Sequence, residues 1–295
     1  TFALIVIGRL LAATRILPES TADVLNRLVI SLCLPAVILI HIPRLHINID
    51  LWPLVAAPWL LTLISAALII FLSQWLKWSR PVTAVLLLLV PLGNTSFLGY
   101  ALISALLGAE SLRYAVVYDQ FGSFLILCTY ALFVVAWYAD DQSVSVKVML
   151  GRMATFPPFL ALILALIAGN HWVPPWLMQG FEWLALALLP MVTLAIGLQL
   201  RLKLVPEYRL PLMLGLMAKL MLLPGLALWC SGWLSMSDEI RTVIVLESAM
   251  PPMITAAVLL SNARLAAPLA TALVAWGVLG SALTIPMWFW LLHGM

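Results

Sequence analysis

An all-α membrane protein of about ten transmembrane helices is the fold class this sequence predicts, and three observations carry that prediction. Hydrophobic residues make up 64% of the 295 and charged residues only 9%, with a mean hydropathy of +1.12, so water is not the solvent for most of the chain. The apolar runs reach about 20 residues, the length that carries a helix across roughly 30 Å of hydrocarbon. None of them alternates with period two, and in lipid, where every amide needs an internal partner, that selects helices over a barrel.

Polar and proline clusters set the limits of each element. The first helix is expected near 1–15 and the second near 22–42, which stops at Pro43 and Arg44. A third near 51–76 ends ahead of Lys77 and Pro81, and a fourth near 82–107 ends at Gly108. The fifth, near 112–138, runs into Asp140 and Asp141. The second set is placed near 151–169, 176–200, 210–232, 238–262 and 266–292. The run from Thr1 to Ala13 is short for a full crossing and no Met precedes it, so its start is expected to be missing. A cleaved signal peptide is the rival reading; Gly8, Arg9 and the absence of a small-residue cleavage site speak against it.

The chain therefore divides into a first five-helix repeat over 1–138, a polar cytoplasmic connector over 139–150 and a second five-helix repeat over 151–295, with no soluble domain. Basic residues mark cytoplasmic loops. Odd-numbered connections hold Arg15, Arg27, Lys77, Arg80, Lys147, Arg152, Arg201, Lys203, Arg209 and Arg264, whereas even-numbered ones hold Arg44, Arg113 and Arg241. This asymmetry puts both termini outside. Trp52, Trp75, Trp78, Trp137, Trp172, Trp176, Trp233 and Trp290 fall near helix ends and read as an interfacial belt. The net charge of +3 is scattered, which argues against a nucleic-acid partner. Cys33, Cys128 and Cys230 lie in apolar runs without metal-ligand or redox spacing and read as core residues.

An internal repeat supports the division. Leu32-Cys33-Leu34-Pro35-Ala36-Val37 resembles Ala187-Leu188-Leu189-Pro190-Met191-Val192, an offset of 155. The same offset lays Gly93-Asn94-Thr95-Ser96 in the fourth helix onto Ser248-Ala249-Met250-Pro251 in the ninth. Five helices separate the copies, so they are inverted. Pro91, Gly93 and Gly99 flank Asn94 as helix breakers, and Pro251 with Pro252 removes two amide donors in succession. Discontinuous helices at the midplane cross and line a cavity, where half-helix N-termini hold an anion and freed carbonyls hold a cation.

Depth along the spans, at roughly 1.5 Å per residue, puts Glu247, Lys219 and Asn94 near the midplane. A charge there costs at least about 2.5–3.5 kcal/mol, which makes such a residue a functional candidate. Glu247 precedes the Pro251-Pro252 break by one turn. It either carries a coupling proton or sodium, or forms a fixed ion pair with Lys219. Lys219 is a structural partner or meets a substrate carboxylate. Asn94, Thr95 and Ser96 offer donors and acceptors beside the first break, with Ser248, Pro251 and Pro252 opposite, and these are the expected substrate contacts. Asp119, grouped with Gln120 and Ser123, lines a cation path or takes a polar bond from a neighbouring helix. Gln199 reads as structural, and Arg9 as snorkelling to the interface. Enzyme chemistry is not predicted: His41, His46, His171 and His293 sit near helix ends, and Ser96 and Ser248 lack a basic partner. No metal or organic cofactor is expected apart from the sodium that Glu247 and Asn94 could hold.

Three segments carry a family resemblance. Leu92-Gly93-Asn94-Thr95-Ser96-Phe97-Leu98-Gly99, the stretch from Leu189-Pro190 through Ile196-Gly197-Leu198-Gln199-Leu200, and Ala249-Met250-Pro251-Pro252 resemble bacterial members of the auxin efflux carrier family. The resemblance runs over nearly the whole chain and places it in the bile, arsenite and riboflavin transporter superfamily. It implies a scaffold of helices 1, 2, 6 and 7, a transport domain of helices 3–5 and 8–10, crossed helices 4 and 9, and elevator-like alternating access. It further implies small organic acids as substrates, a bacterial inner-membrane location and a homodimer through the scaffold helices. Sodium-coupled relatives place an acidic residue where Glu247 stands, but Met250-Pro251-Pro252 lacks the glutamine that follows in them. Proton coupling and an uncoupled, channel-like facilitator both remain open. The long hydrophilic central loop of the plant members is absent.

Overall fold

The structure is a computed structural model describing residues 2–14, 17–18, 20–43, 49–138, 151, 154–168, 174–199, 206–233 and 236–294. The connector at 139–150 lies outside the described residues, as do Arg15, Arg44, Arg152, Arg201 and Lys203. Among the described residues the chain is helical and without strands. Among the described residues six helical stretches are long and apolar enough to cross a membrane: Val24–His41, Trp52–Leu76, Ala109–Tyr138, Trp176–Leu198, Pro206–Ser231 and Ala267–His293.

The chain forms two compact units that interleave in sequence. The first comprises Thr1–Asn48, Ser96–Val116 and Gly151–Leu200. Its spine is the helix Pro175–Gln199, against which Phe2–Thr14, Thr21–Leu28 and Leu34–His41 pack. Small residues permit that approach: a Cβ on Gly8 would sit 2.6 Å from the Leu194 carbonyl oxygen and 3.0 Å from Gly197 Cα.

The second unit comprises Ile49–Thr95, Val117–Leu150 and Arg201–Met295. At its centre lies the helix Arg80–Leu89, in which every residue from Val82 to Leu89 is buried. An apolar run without a polar stripe suits such a position, because no side faces solvent. Ser79 in extended conformation and Pro81 in the first turn start this helix, as Pro53 starts Trp52–Leu76. Lys77, in the left-handed region with φ 53°, ends the latter. Ser237 caps Asp238–Ser248 by accepting a hydrogen bond from the Ile240 amide, and Asp238 and Glu239 complement the dipole of its first turn.

The stretches 82–107 and 238–262, both expected to be broken, are broken. The first stops at Leu89 and resumes at Thr95–Gly99 and Tyr100–Leu107; the second stops at Ser248 and resumes at Ile254–Asn262. Gly99, expected to be a breaker, instead has helical dihedrals (φ −58°, ψ −58°) and leads directly into Tyr100–Leu107. One break per helix, centred on Gly93 and on Pro251-Pro252, is enough once the freed backbone finds partners in the other break.

Candidate functional site

The two breaks of the second unit satisfy each other. Gly93 pairs with Pro252 as an isolated antiparallel bridge. The Asn94 amide donates to the Pro251 carbonyl at 2.8 Å, and the Met253 amide donates to the Leu92 carbonyl at 3.0 Å. Proline supplies no donor and glycine no side chain, so this pairing is what the break residues permit. In a bilayer, where water cannot replace it, such pairing is obligatory.

Six buried polar side chains gather at this crossing. Glu247, in the last turn before the second break, is completely buried, and among the described residues neither carboxylate oxygen has a hydrogen-bond partner. Lys219 is 1% exposed and donates from Nζ to the Pro91 carbonyl at 3.2 Å. A Cβ on Gly93 would stand 3.0 Å from that Nζ and 3.4 Å from the Glu247 carbonyl oxygen, so the glycine makes room for the ammonium. Asn94 is 2% exposed, and its Nδ2 has no acceptor among the described residues. Thr95 donates from Oγ1 to Asp119 Oδ1, and Gln120 Nε2 donates to Asp119 Oδ2 at 2.8 Å.

The expected alternatives for these residues resolve unevenly. A fixed ion pair between Glu247 and Lys219 is not formed: among the described residues no nitrogen–oxygen contact within 4.0 Å joins them, although they interact through space. The lysine is instead bonded to a carbonyl freed by the first break. Asp119 accepts from the neighbouring broken helix through Thr95. Ser248, expected among the substrate contacts, turns its hydroxyl to its own helix and donates to the Val245 carbonyl at 2.7 Å. Ser96 follows Thr95 in the same wide turn and falls in the first unit. Pro91, Gly93, Pro251 and Pro252 all lie at the breaks. The side chain of Gln199 lies outside the described residues.

Removing the Thr95 donor tests the link to Asp119. Thr95→Val is expected to cost roughly 1.5–3 kcal/mol, the range for a hydrogen bond to a charged group, read as a lower thermal midpoint of the purified protein. Thr95→Ser, which keeps the hydroxyl, is expected to stay close to wild type.

Sequence reasoning missed two kinds of contributor. One is the π-helical turn: Asp119 opens one at Asp119–Ser123, and Lys219 lies in another at Ala218–Leu222. The other is close packing: against the second break a Cβ on Gly277 would collide with the Pro252 ring, and in the turn of Asp119 one on Gly122 would collide with Pro58. The prolines inside helices, Pro58 and Pro286, were the available signal.

A cavity of about 610 Å³ elsewhere in the unit is lined by Trp52, Ala56, Leu60, Trp229 and Ile244 among others. Its lining is apolar and includes none of the crossing residues, so it offers a carboxylate nothing to bind.

Residues 1–289 match the family described as membrane transport protein. The chain is 26% identical over 303 residues to an uncharacterized transporter of Methanocaldococcus jannaschii, an alignment covering 98% of this chain and 96% of that protein. It is also 26% identical over 296 residues to an uncharacterized transporter of Methanothermobacter thermautotrophicus, covering 97% and 94%.

Proposed function

Because the chain belongs to the membrane transport protein family, that of the auxin efflux carriers, we propose that it moves small organic carboxylates across the membrane with the crossing as their binding site. It is an integral multi-pass membrane protein and a transporter rather than an enzyme. The observation that carries the substrate reading is Asn94: a buried amide donor without an acceptor among the described residues, at the point where two helices break. Beside it, the Lys219 ammonium and the amides that open Ile254–Asn262, whose N-cap Met253 offers no side-chain acceptor, favour a negative ligand.

Charge supports coupling. The crossing holds two carboxylates, Glu247 and Asp119, against one ammonium, Lys219. A carboxylate substrate adds a further negative charge, which a proton or sodium ion on Glu247 offsets. A second reading, an uncoupled facilitator, draws on Lys219 itself, a resident cation already bonded to the freed Pro91 carbonyl.

The two breaks, one in the expected fourth helix and one in the expected ninth, support two inverted five-helix repeats within a ten-helix chain. Alternating access then moves a transport part, helices 3–5 and 8–10, against a scaffold of helices 1, 2, 6 and 7 that also forms a homodimer. Both termini face outward on the asymmetry of basic residues.

Thermal stabilisation tests the binding step. Acetate, lactate, benzoate, succinate and malate are titrated against the purified protein with and without sodium and at several pH values. A true ligand at a hundred times its Kd stabilises by about 2.7 kcal/mol. The expected result is stabilisation of the wild type by at least one of these and its loss in Asn94→Ala. If none stabilises the protein, the organic-anion reading falls.

A further inference from the structure

Two charged side chains presented to the crossing from outside the broken helices, Asp119 and Lys219, each sit in a π-helical turn. A π turn closes from residue i to i+5 and inserts one residue into the α-helical ladder. Collapse of that insertion to regular α-helix would rotate the flanking segment by about 100° and shift it about 1.5 Å. Asp119 or Lys219 would then leave the crossing. In the Lys219 turn Pro224 removes the α-helical donor to the Leu220 carbonyl, and a carbonyl without its intrahelical donor calls, in a bilayer, for one from another helix.

In both turns that donor is a tryptophan. The Trp288 indole N–H donates to the Leu220 carbonyl, one residue past Lys219, at 2.9 Å in a buried contact. The Trp59 indole N–H donates to the Phe121 carbonyl, two residues past Asp119, at 3.1 Å. Indole nitrogen is a donor only, and it has no alternative acceptor role to satisfy. Both tryptophans stand beside a proline inside their own helix, Pro58 before Trp59 and Pro286 two residues before Trp288. Gly122 makes room for the Pro58 ring, which a Cβ there would overlap, whereas Gly225 stands in ordinary contact distance of Trp288 Cη2. The arrangement thus occurs twice in the unit, built from different helices.

We propose that Trp288 and Trp59 are positioning residues that hold Lys219 and Asp119 at the crossing by donating their indole N–H to a carbonyl of the π turn. The consequence for transport rests on the crossing being the binding site; the positioning itself does not.

The test uses the purified full chain in detergent, without ligand. Hydrogen exchange over 218–224 is compared among wild type, Trp288→Phe, and two analogues introduced at position 288 alone. Benzothienylalanine replaces the N–H by sulfur with nearly the same ring shape, whereas 5-fluorotryptophan keeps it. Exchange is expected to rise about tenfold without the N–H and to stay at the wild-type rate with fluorotryptophan. Trp59→Phe is expected to do the same over 119–125, while Trp229→Phe, whose indole is exposed, changes neither segment. A double-mutant cycle of thermal midpoints then pairs Trp288→Phe with Lys219→Met. Positioning through the lysine predicts strong non-additivity, whereas packing alone predicts simple addition. Unchanged exchange, equal exchange with both analogues, or an additive cycle would each overturn the proposal. If exchange and the cycle respond while no carboxylate binds the wild type, the positioning stands and the transport reading falls.

Discussion

Glu247→Gln is expected to abolish the response of carboxylate uptake to an imposed proton or sodium gradient, by at least about tenfold in proteoliposomes, while leaving the protein folded and inserted. The carboxylate is fully buried, neither oxygen is hydrogen-bonded among the described residues, and its cationic neighbour Lys219 is bonded elsewhere. A charge at that depth costs at least about 2.5–3.5 kcal/mol, and the described residues supply no hydrogen bond to offset it. A bound proton or cation is the remaining way to satisfy the group, and glutamine, equal in size, takes neither. Retention of the gradient response in Glu247→Gln, with the pH and sodium dependence of the wild type, would sink the coupling assignment. A wild type that transports but ignores both gradients would instead favour the facilitator reading.

The second large effect is expected at Gly277. This residue lies in Ala267–His293, and its missing side chain accommodates the ring of Pro252, the residue that bridges to Gly93. A proline ring cannot swing aside as a long side chain does, so Gly277→Val must displace the second break. Overpacking alone costs typically about 1–3 kcal/mol; here the shift also lengthens the bonds from Asn94 N to the Pro251 carbonyl and from Met253 N to the Leu92 carbonyl. We expect a clearly lower thermal midpoint and at least about tenfold weaker binding of any carboxylate found in the stabilisation screen. Gly180→Ala, at a glycine with open space around its Cα, serves as the control and is expected to leave both unchanged. Wild-type binding in Gly277→Val would show that the crossing does not depend on this contact.

These two sites differ in how far the sequence discloses them. The breaks at Gly93 and Pro251-Pro252 are local chemistry, since proline removes donors and glycine weakens helix wherever they occur, and both were legible. Glu247, Lys219 and Asn94 were legible through depth, because a fixed rise per residue converts position in a span into height in the bilayer. Three things were not. The acceptor for Lys219 is a carbonyl 128 residues away, exposed only because another helix breaks. The π turns depend on donors from other helices, so the sequence around Asp119 and Lys219 alone does not show the inserted residue. Gly99 has a breaker's composition but no freed backbone to place, and it remained helical.

The bridge at the crossing has an implication for how such a protein can change. Its bonds run between main-chain amides and carbonyls of Leu92, Asn94, Pro251 and Met253, so exchanging side chains at Leu92 or Met253 removes no bond that shapes the crossing. Architecture and selectivity are thereby written in separate alphabets, one in the backbone and one in the side chains. A lineage could retune what it recognises by single substitutions while inheriting the crossing intact.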